Sequence, residues 1–341
     1  MLDVDGRIMV FAGAGASKAI CPDKFATTKE FFDDLLPPIT GDQLFGFAIN
    51  YLNSVTKTEV IDIEQVLWAL QTLYVFYDNI TNPKEISGFS FQQNLIEKLY
   101  RNHNVGHFLS VAPNIRASLA DLIGRINQVV YDLYSYEPSE RELHDNWIEL
   151  ISQLDGRGTR LDIFTTNYDV AIEAALNAIG GETTARKWRG IEGNVRQTID
   201  LKNWIEASIN HNGLLTKLHG SLDWKISGEK IYVGDPVFTG DHSKQAIIYP
   251  GFKGESSQSF FQVFHEYFAQ SLSDSKVMIF VGFAFRDDHI NRLIRENTRR
   301  ETKIFVINPD TTIKFPSGRA KAKHIAMGFD LKSIGKVVES I

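Results

Sequence analysis

The sequence predicts an α/β fold in which a doubly wound, mostly parallel sheet is interrupted by a helical insertion after the first strand. Short, continuous apolar runs recur along the chain, as expected of parallel strands that are covered on both faces. A long stretch with helical periodicity separates the first of these runs from the second. We therefore predict a Rossmann-like core comprising residues 1–35 and 155–341, and a helical module comprising residues 36–154.

The first strand is predicted at residues 8–12, and it leads directly into the glycine turn GAGAS at residues 13–17. Glycine lets the backbone approach a phosphate closely, and a helix N-terminus behind such a turn favours negative charge. The turn lacks the third glycine of the G-x-G-x-x-G dinucleotide pattern. No acid closes a compact βαβ unit about 20 residues later, because Asp33 and Asp34 lie in a helical pattern. Both departures argue against a dehydrogenase.

The helical module shows its clearest periodicity between residues 63 and 77, where apolar side chains recur at steps of three and four. This spacing forms one wide apolar stripe of an amphipathic helix. Further helices are predicted at residues 89–101, 117–134 and 140–154, and a short helix capped by Thr27 or Thr28 is predicted to end at residue 36.

The second half of the predicted core alternates strands with helices. Strands are predicted at residues 160–165, 214–218, 245–249, 276–281 and 303–307, with helices at residues 169–179 and 260–272. Residues 180–212 are polar and weakly periodic, and this stretch is either a lid or a surface excursion. A short helix within residues 333–341 follows the last strand.

The composition is that of an ordinary globular protein, with 43% hydrophobic and 23% charged residues among 341. The formal net charge of -6 gives no general electrostatic reason to expect nucleic-acid binding. The single cysteine, Cys21, excludes an intramolecular disulfide framework and a cysteine-based zinc cluster. Because the chain shows neither a signal peptide nor about 20 consecutive apolar residues, we expect a soluble, cytoplasmic protein without a membrane span.

Polar motifs follow the predicted strands at their C-terminal ends, where doubly wound sheets bind ligands. The motifs are GAGAS, TTNYD, LHGSLDW, GFAFRDDH and NPD. A sheet with a purely structural role does not need so many polar groups at one edge, so we predict a ligand site there. Asp287, Asp288 and His289 in the fourth motif are interpreted as residues of a helix N-terminus, because adjacent residues there do not converge on one metal ion. No metal site is predicted.

The order of these motifs, with PDKF after GAGAS and with KLHGSLDW, VGF and INPD in the second half of the chain, resembles the sirtuins. The resemblance is greatest to the bacterial sirtuin-like NAD hydrolases of antiphage defence, and it includes little of the helical module. It implies that Asn167 contacts the nicotinamide ribose, that Asp169 holds the carboxamide, and that His219 is the catalytic histidine. The implied NAD-binding residues are Gly13, Ala14, Gly15, Ala16 and Ser17 at the pyrophosphate, Pro22, Asp23 and Phe25 at the nicotinamide end, Gly282 and Phe283 beside the adenosine, and Asn308 and Asp310 at the adenine ribose.

Protein-deacylating sirtuins carry a four-cysteine zinc module after the histidine motif, and this chain departs from them. With only Cys21 it cannot build that module, and no acyl-lysine channel is recognisable after His219. Ala284 also stands where relatives often have a serine that contacts the cofactor. We therefore predict an NAD glycohydrolase that forms ADP-ribose and nicotinamide. The alternatives are a non-catalytic signalling module that binds NAD or ADP-ribose and, less favoured, an NAD-dependent deacylase.

Cleavage of the nicotinamide–ribose bond passes through an oxocarbenium-like transition state, which positioning and electrostatics must stabilise. Asn167 can orient a ribose hydroxyl or a water, and His219 can take a proton from either because an imidazole titrates near neutral pH. Each predicted catalytic residue also has a structural interpretation: Asn167 as a turn amide, His219 as a buried histidine bonded to backbone, and Asp169 as a helix cap.

The resemblance also implies regulation, because an unrestrained NAD hydrolase depletes the NAD of its own cell. Relatives often form homo-oligomers, and some pair with a motor ATPase or another sensor. We expect a homo-oligomer, with a separate motor ATPase or sensor protein as a partner and with restraint by the helical module or by oligomerisation. The sequence leaves open the activating trigger and the formation of cyclic ADP-ribose.

Overall fold

The computed structural model describes residues 6–26, 30, 39, 41–55, 63–81, 103–157, 160–191, 197–227, 230–234, 245–247, 258–316 and 320–341. The chain divides into two compact units. The first unit comprises residues 1–27, 131–248 and 253–341, and the second comprises residues 28–130 and 249–252. The helix predicted at residues 89–101 lies outside the described residues, as does the short helix predicted to end at residue 36, apart from residue 30.

Ten strands occur in the described part of the chain, and all of them belong to the first unit. They are β1 (Arg7–Ala12), β2 (Arg160–Thr165), β3 (Gln197–Asp200), β4 (Gly213–Lys217), β5 (Gly220–Ser227), β6 (Lys230–Val233), β7 (Gln245–Ile247), β8 (Ser275–Val281), β9 (Lys303–Ile307) and β10 (Ala322–Ile325).

Six of the strands form a parallel sheet with the order β10-β9-β8-β1-β2-β4. The first strand lies inside this sheet, where Val10 pairs with Ile163 of β2 on one side and with Ile279 of β8 on the other. Strands are added on both sides of β1, as in a doubly wound fold. The predicted Rossmann-like α/β architecture is therefore confirmed.

A second sheet has the order β3-β6-β5-β7, and its strands pair antiparallel. The strand predicted at residues 245–249 is present as β7, and it belongs to this antiparallel sheet. A short apolar run does not distinguish the two kinds of sheet, because its length and composition suit both. Residues 180–212, for which two interpretations were open, contain β3 and the helix Leu201–Asn210.

The helices of the first unit are Ala14–Ile20, Glu140–Leu143, Glu149–Leu154, Ala171–Trp188, Leu201–Asn210, Gln258–Asp274, Asp288–Asn297 and Leu331–Val338, with a π-helical turn at His144–Ile148. The described elements of the second unit are helical and include Gln43–Val55 and Ile63–Thr81. The helix His103–Tyr134 begins in the second unit and ends in the first. None of the helices in the described ranges has the length and apolarity that a membrane crossing requires.

The parallel sheet separates two apolar clusters, because successive side chains of a strand point to opposite faces. Val10 belongs to one cluster and Phe11 to the other. Burial of a side chain such as Phe11 stabilises the fold by about 1.5–3 kcal/mol. Trp147 packs in the same cluster as Val10, so residues 140–154, which the sequence assigns to the helical module, contribute to the core of the first unit.

Candidate functional site

The glycine turn after β1 packs against the loop that follows β8. The amide of Gly13 donates a hydrogen bond to the carbonyl oxygen of Val281 at 2.9 Å, and the amide of Gly15 donates to that of Gly282 at 3.0 Å. A Cβ atom on Gly13 would lie 2.7 Å from the Cα atom of Phe283, and one on Gly15 would lie 2.8 Å from the oxygen of Gly282. The glycines therefore permit two backbone segments to approach each other, independently of any ligand.

Ser17, Asn167 and Asp169 form a buried, hydrogen-bonded group beside this turn. The Ser17 hydroxyl donates to Oδ2 of Asp169 at 2.7 Å, and Nδ2 of Asn167 donates to the Ser17 hydroxyl at 2.9 Å. The same Asn167 nitrogen donates to the carbonyl oxygen of Gly13 at 3.0 Å. Asp169 accepts a further bond on Oδ1 from the amide of Ala171 at 3.0 Å. The structure thus brings three predicted site residues into direct contact.

A buried lysine, Lys217, holds the loop that carries Asn167 and Asp169. Its Nζ lies 2.9 Å from Oε1 of Glu173, and it donates hydrogen bonds to the carbonyl oxygens of Tyr168, at 3.3 Å, and of Asp169. Burial raises the pKa of the Asp169 carboxyl group above its ordinary value, and the positive charge of Lys217 opposes that rise. This role is not evident from the sequence, although a lysine within an apolar strand indicates a buried partner.

A second buried ion pair lies next to the first. Nη2 of Arg189 is 2.5 Å from Oδ2 of Asp223 and 3.8 Å from Oε1 of Glu173. Burial opposes the charge of Arg189, but the carboxylates of Asp223 and Glu173 raise the pKa of its guanidinium group. Glu173, Arg189 and Asp223 line a cavity of about 250 Å³. In the described part of the chain, the predicted catalytic residues do not line this cavity.

His219 follows β4, and its buried side chain meets a carboxylate. Its Nε2 atom lies 3.1 Å from Oδ2 of Asp287. Asp287 is the N-cap of the helix Asp288–Asn297, because its Oδ1 atom accepts hydrogen bonds from the amides of His289 and Ile290 at 2.9 and 3.0 Å. Burial opposes the ionisation of Asp287, but its contact with His219 brings the pKa of the carboxyl group below its ordinary value. The cap agrees with the predicted helix N-terminus, whereas the contact with His219 is not evident from the sequence.

His265 on the helix Gln258–Asp274 lies close to the same group of side chains. The centre of its ring is 4.8 Å from that of His289, with the two planes at 89°. Burial and, to a smaller extent, the neighbouring His219 and His289 together lower the pKa of His265 to about 3. His265 is therefore neutral at physiological pH. No group of three or more His, Cys, Asp or Glu side chains is arranged to hold a metal ion within the described ranges.

Glu142 contacts Cys21, the residue that precedes the PDKF segment after the first helix. The Cys21 thiol donates to Oε1 of Glu142 at 3.0 Å, and the Tyr136 hydroxyl contacts both oxygens of the same carboxylate at 2.8 and 2.9 Å. Burial raises the pKa of the Cys21 thiol to about 11, and the bond to Glu142 contributes to the rise. Phe25 is buried and packs 6.0 Å from the Tyr136 ring, measured between ring centres, while Asp23 is exposed.

The predicted adenosine-side residues belong to two loops that are joined by hydrogen bonds. The amide of Gly282 donates to the carbonyl oxygen of Ile307 at 3.0 Å, and Nδ2 of Asn308 donates to that of Phe283 at 3.3 Å. Asp310 is exposed, and its amide donates to Oδ1 of Asn308 at 3.0 Å. The loops after β8 and β9 therefore form one connected edge of the sheet.

Solved structures with a similar chain trace include a Sir2 complex with the inhibitor EX-527, 2′-O-acetyl-ADP-ribose and a deacetylated p53 peptide. It is 11% identical with a TM-score of 0.41, over 98% of this chain and 93% of that chain. A Sir2 homologue in complex with NAD is 11% identical with a TM-score of 0.39, over 98% and 88% of the two chains. Sir2Tm bound to a propionylated peptide is 12% identical with a TM-score of 0.38, over 98% and 92%. These similarities are weak.

Sequence comparison finds a match to one part of the chain. No curated protein matches the chain. The family model described as the SIR2-like domain matches residues 162–326, a range that runs from β2 to β10 and contains Asn167, Asp169, His219 and Asp287. The glycine turn after β1 lies outside the matched range. The part of the chain that carries the predicted catalytic residues is therefore similar to the SIR2-like domain.

Proposed function

We propose that this protein is an NAD glycohydrolase, which converts NAD and water to ADP-ribose and nicotinamide. The observation that carries the proposal is that Asn167 and Asp169 follow β2 and contact the glycine turn after β1, while His219 follows the neighbouring strand β4. These three strands are neighbours in the parallel sheet, and ligands of such sheets bind beyond this edge. The SIR2-like match over residues 162–326 supports NAD as the substrate.

The residues at this edge suit the groups that NAD presents. Asn167 and Asp169 are only 8% and 4% exposed, and they lie directly beside the glycine turn. In the proposal, the backbone amides of residues 13–17 receive the pyrophosphate, and Asp169 accepts the N–H of the nicotinamide carboxamide. A carboxylate oxygen can accept more than one hydrogen bond, so the bonds from Ser17 and Ala171 leave Asp169 the capacity to do so.

Hydrolysis breaks the bond between C1′ of the ribose and the nicotinamide nitrogen, which keeps the electron pair. The oxygen of water bonds to C1′, and one proton is released. His219 accepts that proton as a general base and returns it to solvent. Asn167 is held by two hydrogen bonds from Nδ2, so its Oδ1 atom keeps one direction in which to orient the water or a ribose hydroxyl.

Nicotinamide release from NAD by the purified 341-residue chain, measured in each of its oligomeric states, tests this proposal. We expect release, and we expect His219→Ala and Asn167→Ala to slow it about 100-fold or more, because general acid–base catalysis and positioning are lost. His144→Ala and Asn210→Ala serve as matched controls, since both side chains are exposed on other elements. Thermal unfolding shows that each variant is folded. Tight NAD binding without product contradicts the proposal and favours a signalling module that binds NAD or ADP-ribose.

We further propose that the hydrolase serves antiphage defence by depleting NAD in the cytoplasm, and that its activity is restrained until a trigger arrives. The resemblance of the strand-end motifs to bacterial sirtuin-like NAD hydrolases supports this proposal. The restraint is proposed to come from homo-oligomerisation or from a separate motor ATPase or sensor protein. The mass of the particle, or its rate of NAD hydrolysis, should then change when the protein assembles. Mass measurements with and without NAD test it, and a fully active, constitutive monomer contradicts it.

A further inference from the structure

The contact between His219 and Asp287 joins two elements that are far apart in the sequence. The two side chains are 6% and 11% exposed, and their Nε2 and Oδ2 atoms are 3.1 Å apart. Burying a carboxylate costs free energy unless the charge is paired and hydrogen-bonded. Asp287 meets this requirement through one contact with His219 and two with backbone amides.

The carboxylate of Asp287 has a fixed orientation. Its Oδ1 atom accepts the bonds from the amides of His289 and Ile290 that cap the following helix, and its carbonyl oxygen accepts a bond from the amide of Asn291 at 2.8 Å. Because the cap fixes Oδ1, the second oxygen is directed at Nε2 of His219. The carboxylate that lies 3.1 Å from Nε2 of His219 therefore cannot rotate freely.

Among the described residues, Asp287 lies within ion-pair distance of His219. The helix Gln258–Asp274 contributes His265, which is neutral because burial lowers its pKa to about 3. The helix after Asp287 contributes His289, which is exposed. The Nδ1 atom of His289 lies 3.4 Å from Nη2 of Arg292. Asp287 thus contributes the carboxylate that compensates a positive charge on His219.

We propose that Asp287 is a positioning residue for His219, in that it accepts the Nε2–H bond and selects the neutral tautomer whose lone pair is on Nδ1. The inference rests on the proposed function, in which His219 removes a proton from water. When His219 takes up that proton at Nδ1, the ring becomes positively charged and Asp287 stabilises it. The same division of roles is known from histidines whose second nitrogen is held by a carboxylate.

Asp287→Asn tests the proposal with little change in shape. Asparagine is an equally good N-cap, so its Oδ1 atom keeps the two backbone bonds and the fold. Its amide nitrogen then replaces Oδ2 and donates to Nε2 of His219, which selects the opposite tautomer. We expect kcat for nicotinamide release to fall about 100-fold or more while KM for NAD stays nearly unchanged. Asp288→Asn is the control, because it removes the same charge from the neighbouring exposed residue and should leave kcat unchanged.

Nuclear magnetic resonance of ¹⁵N-histidine-labelled protein provides a readout that does not depend on activity. The His219 signals, identified by their loss in His219→Gln, should show a protonated Nε2 in the wild-type chain and a protonated Nδ1 in Asp287→Asn. Folded wild-type protein that releases no nicotinamide in any of its oligomeric states contradicts the proposed function, while the tautomer still decides the role of Asp287. A wild-type tautomer protonated at Nδ1, an unchanged tautomer in Asp287→Asn, or an unchanged kcat overturns the inference. If Asp287→Asn does not fold, the wild-type tautomer alone decides.

Discussion

Replacing Lys217 with methionine tests directly how the loop that carries Asn167 and Asp169 is held. Lys217 is 1% exposed, and its Nζ atom contacts Glu173 and two backbone carbonyl oxygens of that loop. Methionine is also unbranched and fills the same apolar path. Lys217→Met therefore removes the charge and the three polar contacts, while most of the side-chain packing is kept.

The expected loss of stability follows from the contacts that remain. Removing one partner of a buried ion pair costs about 3–5 kcal/mol, because the other charge is left uncompensated. Arg189 lies 3.8 Å from Oε1 of Glu173 and compensates part of that charge. We therefore expect Lys217→Met to lower the free energy of unfolding by about 3 kcal/mol, near the lower end of this range.

Denaturant unfolding followed by tryptophan fluorescence measures this loss. Lys202→Met is the control, because Lys202 is exposed and its replacement should change the free energy of unfolding by less than about 0.5 kcal/mol. Adding Glu173→Gln to Lys217→Met should restore part of the stability, since the unpaired charge is then removed as well. A loss below about 1 kcal/mol in Lys217→Met, or no coupling in the double variant, refutes the reasoning.

Two further predictions concern the backbone packing at Gly282 and the carboxyl group of Glu142. Gly282 has a φ of +59°, and a Cβ atom there would clash with the backbone of Ala16, so Gly282→Ala should lower the melting temperature sharply. Gly335→Ala is the control, because open space surrounds Gly335 and the melting temperature should hardly change. Equal melting temperatures of the two variants would contradict this packing. Several hydrogen bonds to the carboxylate lower the pKa of Glu142 from 4.5 to about 2. The bond from the Ser139 hydroxyl has the largest effect, and the bond from the Cys21 thiol has the next largest. Because the folded pKa is the lower one, this stabilisation is complete above about pH 4.5 and is lost toward pH 2. Glu142→Gln should therefore flatten the melting-temperature profile in that range, and an unchanged profile contradicts the assignment.

The parallel sheet was largely predictable because its central strands are encoded locally. Residues 160–165 are predicted as a strand, and β2 has these bounds with every residue buried. The edge strand β10 is different, since Ile325 is its only buried residue. An edge strand is covered on fewer sides, so its sequence need not be a continuous apolar run.

The antiparallel sheet depends on pairing between segments that carry weak patterns of their own. Only one residue of β3, Ile199, is buried, and it lies opposite Ile231 of β6. Strand preference is set largely by such cross-strand neighbours, which the local sequence does not contain. For this reason residues 180–212 could not be assigned from periodicity.

The candidate site, like the fold, could be predicted from the sequence only in part. The rule that ligands bind beyond the C-terminal ends of parallel strands places Asn167 and Asp169 beside the glycine turn, and the structure shows them in contact with Ser17 there. The buried partners Lys217 and Asp287 are not evident from the sequence. Their importance comes from tertiary contacts, which local patterns do not encode.

The measurement that tests the central claim most directly is the rate of nicotinamide release from NAD by the purified, folded chain. The account predicts release by the wild-type chain, a loss of about 100-fold or more in His219→Ala, and no loss in His144→Ala. Folded wild-type protein that binds NAD but releases no nicotinamide in any of its oligomeric states would contradict it.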